Sequence, residues 1–280
     1  MTETKRQFRT QRSQRFFLPK DAFNLTNSLA ASEDPALVHQ ISHVLRMSEG
    51  DRVLLLDGQG QLFEATIARL KRSRVEFQIV SLDTSASAAS TLACTDDRII
   101  SVLPLIKTAR LEWALEKLTE AGVSTIQPMT CERSQVKSRK SEGRDDQDPG
   151  KKRWQHIVQE AAEQCERLTL PQLLPPCELA DLLLDCGPTA GADIRLLLSE
   201  RSQAPDMVSY LYNLDIKQSS RSITILSGPE GGFTDAEKAA IEASGFASVS
   251  LGKSILRAET AAIIGAAIAA LYLGQRKIEA

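Results

Sequence analysis

The chain has 280 residues, 42% of them hydrophobic and 25% charged, with a formal net charge of −2 at pH 7. That length supports one large domain or two modest ones with a real core, and the composition is that of a soluble globular protein. Near-neutral bulk charge excludes a protein that binds polyanions by overall positive charge, so nucleic-acid contact would have to come from local basic segments.

Two such segments exist. Residues 1–15 hold Lys5, Arg6, Arg9, Arg12 and Arg15 against Glu3 alone, and residues 133–153 hold eight Lys/Arg against four acids, net +4. Each can serve RNA contact or be a solvated tail or loop. The second also contains Gly143 and Asp145 to Asp148, a composition expected to be mobile until RNA binds. No apolar run follows the basic start, so no signal peptide is expected. The five cysteines (Cys94, Cys131, Cys165, Cys177, Cys186) form no C-x-x-C pair. An odd, scattered set points to a reducing compartment, hence a cytoplasmic protein without a disulfide frame.

In chain order, residues 16–80 read as mostly strand. Phe16 and Phe17 beside Arg15 can stack a base or fill a core. A short helix is expected over His39–Met47. His39 and His43 are four apart but lack the glutamate of H-E-x-x-H, so they read as structural and no metal site is expected. Arg52–Asp57 is an apolar run ended by Gly58-Gln59-Gly60, a hairpin signal. Leu62–Ala68 and Val75–Val80 continue a compact β unit. Ser81–Thr95 is small, polar and aperiodic, and reads as a linker.

From Arg98 the pattern alternates. Strands are expected at Ile99–Leu103, Ser124–Gln127, Ile194–Leu198, Ile223–Leu226 and Ser248–Leu251. Helices are expected at Thr108–Ala121, Lys152–Leu168, Glu178–Asp185, Asp235–Ser244 and Ala258–Leu273. The alternation predicts an α/β fold with a mostly parallel sheet. Leu111, Ala114, Leu115 and Leu118 form one buried helical face, and Gly122 stops that helix. Thr234 and Glu237 make a capping box at the next helix start. Ala261–Leu273 is too short to span a membrane and reads as a buried or self-associating helix. The division is thus 1–85 for a small β domain and 95–280 for the α/β domain.

Two glycine-bearing loops follow short strands near the C-terminus: Gly228-Pro229-Glu230-Gly231-Gly232, and Leu251-Gly252-Lys253-Ser254-Ile255-Leu256-Arg257-Ala258-Glu259-Thr260. Glycine lets main chain approach a ligand closely. The spacing is neither the dinucleotide nor the phosphate-loop pattern, so the residues alone give a backbone-lined ligand site or a pair of tight turns.

GPEGG followed by LG-x-x-ILR-x-ET resembles the RsmE family, the 16S ribosomal RNA (uracil-N3)-methyltransferases of the SPOUT class. The likeness continues in Lys107–Pro128, Glu132-Arg133-Ser134, Glu160–Arg167, Arg15-Phe16-Phe17 and His43-Val44-Leu45-Arg46. It implies a trefoil-knotted sheet with helices on both faces, a PUA-like N-terminal β-barrel for RNA, and a homodimer. It also implies S-adenosyl-L-methionine as cofactor and a uridine of 16S ribosomal RNA in the small subunit as substrate. The cofactor would lie against Gly228, Glu230, Gly231, Gly232 and Gly252, with Leu198, Leu226, Leu251, Ile255 and Leu256 as walls.

Methyl transfer to uracil N3 needs the N3 proton removed or the developing anion stabilised. Arg257 can hold an anionic uracil oxygen or the methionine carboxylate. Glu230 or Glu259 can act as base, although an ordinary carboxylate is a weak one. Each also has a structural reading: Glu259 favouring a helix N-terminus, Glu230 locking its own loop. Arg9, Arg15, Arg46, Arg133 and Arg167 are the candidates for RNA contact. Rival readings are a SPOUT enzyme with another RNA target and a non-catalytic RNA-binding factor.

Overall fold

A computed structural model describes residues 14–82, 98–134, 136, 149–185, 193–200, 204–214 and 222–276. The chain divides into two compact units: Met1–Cys94 with Glu166–Thr169, and Thr95–Cys165 with Leu170–Ala280. Arg9, most of the basic segment after Arg133, the linker beyond Leu82, Cys94 and Cys186 lie outside the described residues.

In the first unit, β1 (Gln14–Phe17), β2 (Phe23–Asn24), β3 (Leu29–Ser32), β4 (Arg52–Leu56), β5 (Leu62–Lys71) and β6 (Arg74–Leu82) form one sheet. Its order is β1-β4-β5-β6-β3-β2. β1 joins β4 in parallel and the remaining pairs are antiparallel. The expected hairpin turn links β4 to β5, with Gly58 and Gly60 at φ 73° and 105°. The Asp57 carboxylate accepts from the N–H groups of Gln59 and Gln61 across it. Register shifts at Glu64/Ala65 and Ile67/Arg69 add local twist and curl the sheet. Phe16, Ile41, Val53, Leu55, Ile67, Val75 and Phe77 fill the concave side. Phe16 and Phe17 are 1% and 5% exposed, so both are core residues and neither is free to stack a base.

The helix expected over His39–Met47 begins earlier and ends sooner. α1 (Pro35–His39) starts where Asp34 caps the Ala36 N–H and Pro35 occupies the first turn. It continues as a π turn, Gln40–Val44, and stops before Arg46, which takes φ 53°.

In the second unit, β7 (Arg98–Pro104), α2 (Thr108–Glu120), β8 (Thr125–Thr130), α3 (Pro149–Gln164), β9 (Gln172–Leu173), β10 (Cys177–Glu178) and α4 (Leu179–Asp185) come first. β11 (Asp193–Leu198), α5 (Met207–Asn213), β12 (Ser222–Leu226), α6 (Asp235–Ala243), β13 (Ala247–Val249) and α7 (Ala258–Arg276) follow. The sheet runs β10-β8-β7-β12-β11-β13, with β9 also on β8, and every described pairing is parallel. Parallel strands covered on both faces need apolar side chains both ways. Ile223 and Ile225 of β12 join one cluster with Leu111, Leu115, Leu118 and α7, while Leu226 joins Val102, Met129, Phe233 and Ile241 in another.

α2 buries Leu111, Ala114, Leu115 and Leu118, as its periodicity predicts. It ends in a Schellman arrangement: Gly122 at φ 88° donates to Thr119 O and Val123 donates to Leu118 O. α5 and the short strands β9 and β10 carry no signal strong enough to have been read beforehand. β13 ends at Val249 rather than Leu251, because Ser250 turns to bond Pro205 O and Met207 N–H instead of continuing the ladder.

α7 is longer than its apolar stretch suggests. Its Ala258–Gln275 window is long and apolar enough, by length and composition, to cross a membrane. Ala258, Ala262, Ala266, Ala269, Tyr272 and Leu273 instead sit in the main core cluster, so the helix reads as the core helix of this unit. Its small residues permit close contact with the sheet: a Cβ placed on Gly265 would lie 3.2 Å from Ile225 Cγ2 and 3.2 Å from Leu198 Cδ1.

Candidate active site

The first glycine loop leaves β12 under tight control. Ser227 donates to Val102 O through both its N–H (3.0 Å) and its Oγ (3.2 Å). Gly232, at φ 68°, closes a turn by donating to Pro229 O at 2.8 Å. A Cβ on Gly228 would stand 3.0 Å from the Phe233 ring, so only glycine fits without moving a core side chain. The capping box forms as the sequence predicts, Thr234 Oγ1 accepting from Glu237 N–H and the Glu237 carboxylate from Thr234 N–H.

Glu237 has a second task. Its other carboxylate oxygen accepts from Glu132 N–H at 2.8 Å, and Arg133 Nη1 donates to Gly231 O at 3.2 Å. The loop after β8 and the loop after β12 are therefore fastened to each other. Within the first of them, Cys131 is half-buried beside Ser134, and burial pushes its thiol above the ordinary range.

The second loop is shaped by Ser250, whose Oγ donates to Gly252 O at 3.1 Å and accepts from Gly252 N–H at 3.2 Å. Gly252 takes φ 117°, a conformation that L side chains rarely adopt. Among the described residues, Ser254, Ile255 and Leu256 make no backbone–backbone hydrogen bond, and Gly228 makes none in the first loop. Backbone donors and acceptors of this kind need water or a ligand.

The predicted walls differ in what they offer. Leu226 is fully buried beside Phe233, on a strand paired on both sides, so it is core rather than an open pocket wall. Leu198 packs its tip against Gly265. Leu251 and Leu256 are half-buried, and Ile255 is 55% exposed.

The charged residues gather around one guanidinium that sequence reasoning did not single out. Arg110, in the first turn of α2, donates through Nη1 to the Glu230 carboxylate. Its Nε lies 3.8 Å from Glu259 Oε1. Glu259 opens α7 and is only 4% exposed, and its Oε2 has no hydrogen-bond partner among the described residues. One acid from each glycine loop thus meets a single arginine. Arg257 is exposed, and its side chain has no hydrogen bond or ion pair among the described residues. The only advance signal for Arg110 was its place just off the apolar stripe, inside Lys107–Pro128.

Of the arginines expected to meet RNA, Arg15 is engaged with Glu166, at 2.9 Å to the carboxylate and 3.2 Å to the carbonyl. Arg167 Nε donates to Thr169 O at 3.2 Å. Arg133 holds the glycine loop. Arg46 is exposed and its side chain has no partner among the described residues. No group of three or more His, Cys, Asp or Glu that could hold a metal occurs among the described residues.

Residues 94–270 match the RNA methyltransferase domain family, and residues 39–80 match the RNA methyltransferase PUA domain family. The parallel sheet, its strand order consistent with a trefoil knot, and the curled N-terminal sheet define an RNA methyltransferase of the SPOUT class with a PUA-like domain. The chain is 34% identical over 236 residues to ribosomal RNA small subunit methyltransferase E of a Synechocystis species, covering 83% of this chain and 70% of that protein. The structure of ribosomal RNA small subunit methyltransferase E from Neisseria gonorrhoeae, bound to S-adenosyl methionine, superposes with a TM-score of 0.73 at 29% identity, covering 91% of this chain and 95% of that one. A Legionella pneumophila methyltransferase solved with bound SAM superposes with a TM-score of 0.75 at 27% identity, covering 92% and 97%. The chain belongs to the ribosomal RNA small subunit methyltransferase E family.

Proposed function

We propose that this protein transfers the methyl group of S-adenosylmethionine to N3 of one uridine in 16S ribosomal RNA, on the assembled small subunit in the cytoplasm. The observation that carries the reading is the meeting of the two glycine loops' acids on Arg110, in loops whose Gly228 and Ser254–Leu256 backbone groups have no backbone partner among the described residues. The site fits an adenosyl cofactor on its own terms. Gly228 and Ser254–Leu256 offer backbone polar groups, and half-buried Leu251 and Leu256 offer apolar surface.

The cofactor supplies an electrophilic methyl group on a sulfonium. The protein has to orient the uracil and manage one proton. For N3 to accept that methyl group, its proton would have to pass to a group of this chain. Glu230, with a quarter of its side chain exposed, can reach that proton, whereas the Glu259 side chain is 5% exposed. Glu259 then acts through Arg110 by holding it in place. Arg257 is free to stabilise charge developing on a uracil oxygen or to hold the methionine carboxylate. Arg9, Arg15, Arg46, Arg133 and Arg167 supply RNA contact in this reading, those now paired within the protein exchanging partners to do so.

Labelled methyl transfer to small subunits lacking their native modifications, with the product nucleoside identified by mass, tests the reading. 3-Methyluridine is the expected product. Another methylated nucleoside would move the target, and cofactor binding without transfer to any subunit RNA would sink the enzymatic assignment to this substrate.

We also propose a homodimer. Ile264 and Leu271 of α7 are 36% and 70% exposed, and Val208 and Tyr212 of α5 are 46% and 57% exposed. Exposed apolar side chains on two helices of one unit suit a self-complementary interface. Light scattering is expected to give twice the 30.7 kDa chain mass, and a monomer at micromolar concentration would rule the dimer out.

A further inference from the structure

His39 and His43 stand at the junction of α1 and the π turn, and both are exposed. Their rings stack with centroids 4.9 Å apart and planes 15° apart. Exposed rings that fill no core do not read as structural, the role expected from sequence.

The His43 ring is also held in place. Ser42 Oγ lies 2.6 Å from Val38 O and 2.6 Å from His43 Nδ1. A carbonyl can only accept, so the single hydroxyl proton goes to Val38 O. Ser42 Oγ is then an acceptor, and His43 carries its proton on Nδ1. Nε2 is left with no partner among the described residues. Three residues on, Arg46 sits at φ 53°, exposed and without a side-chain partner among the described residues. A π turn and a non-glycine residue in the left-handed region are both uncommon, and both concentrate at functional positions.

We propose that the His39–His43 stack is a platform for an unpaired RNA base, with Arg46 taking an adjacent phosphate. Unstacked bases are read by stacking on aromatic rings, histidine included, beside a cation for the backbone. A preorganised flat ring, three residues from an exposed arginine with no side-chain partner among the described residues, matches that chemistry. The choice of RNA as occupant rests on the proposed methyltransferase function, while the platform itself is a separate site on the first unit.

The test uses full-length protein and unmodified small subunits, with KM for the subunit, kcat and S-adenosylmethionine affinity measured together. His43→Ala and His39→Ala are expected to raise KM about 5–100-fold, the range for losing one stacked base, while kcat and cofactor affinity hold. His43→Phe keeps a flat ring and is expected to stay within about twofold of the parent. Arg46→Gly keeps the left-handed backbone and should lower the salt dependence of binding by about one phosphate contact, which His43→Phe should not.

An unchanged KM for His43→Ala overturns the platform, as does a His43→Phe variant as impaired as His43→Ala. Binding to protein-free 16S RNA is measured alongside. If His43→Ala weakens only subunit binding, the partner is a ribosomal protein and the RNA assignment falls. This binding measurement stands even if no methyl transfer is seen, so failure of the enzymatic reading and failure of the platform remain distinguishable.

Discussion

Arg110→Ala is expected to be both destabilised and close to inactive. Glu259 is 4% exposed and, among the described residues, Arg110 is its only ionic partner, at 3.8 Å. Removing one member of a buried pair leaves a charge without compensation, which typically costs about 3–5 kcal/mol. Arg110 is itself a third exposed, so water reaches it and the lower end, about 3 kcal/mol, is expected. The same substitution frees Glu230 and uncouples the two glycine loops. Misplacing reacting groups by an ångström can cost about 100-fold in rate, and a loss of at least that size in kcat is expected.

Stability and activity can be separated. Replacing both partners by apolar residues of similar volume is often neutral. Arg110→Met with Glu259→Met should therefore recover most of the unfolding free energy that Arg110→Met alone loses, without recovering methyl transfer. Urea unfolding and the methylation assay read the two effects independently. A double variant no more stable than the single would show that the unpaired Glu259 carboxylate is not the source of the loss.

Gly265→Val carries the second large effect. The space beside Gly265 is closed by Ile225 and Leu198, each 3.2 Å from where a Cβ would lie. Two opposing magnitudes decide the outcome. Glycine to alanine in a helix interior gains about 1 kcal/mol in propensity, and overpacking a closed core costs about 1–3 kcal/mol. Gly265→Ala should fall near neutral, because one methyl group requires its neighbours to move only a few tenths of an ångström. Valine adds two further carbons and a stiff β-branched side chain, so a loss of about 2–3 kcal/mol is expected. The strain should reach Leu198, so S-adenosylmethionine affinity should weaken along with stability. Equilibrium unfolding and calorimetric titration check both. A valine variant as stable as its parent would mean that α7 is free to lift from the sheet.

Several features were legible because they depend on neighbours in the chain. The buried stripe Leu111, Ala114, Leu115 and Leu118 follows from helical periodicity, and the Gly122 stop and the Thr234–Glu237 box follow from backbone groups a few residues away. The two glycine loops stood out because glycine marks positions where backbone geometry is unusual. Helix α1 starts earlier than its apolar residues indicate because Asp34 and Pro35, a cap and a first-turn proline, set its start.

Local patterns in the chain set the alternation of strands and helices, the compact β unit before it, and the two glycine loops near the C-terminus. These follow from patterns within a few residues, where periodicity and capping act. Tertiary structure alone decided which acids share a cation, since Arg110 and Glu230 are 120 positions apart. It also decided that Leu226 is core, that α7 packs inside the fold, and that His39 and His43 stack in the open. Charge pairing and burial depend on distance in space, and a parallel sheet brings distant strand ends together in an order that local patterns do not encode.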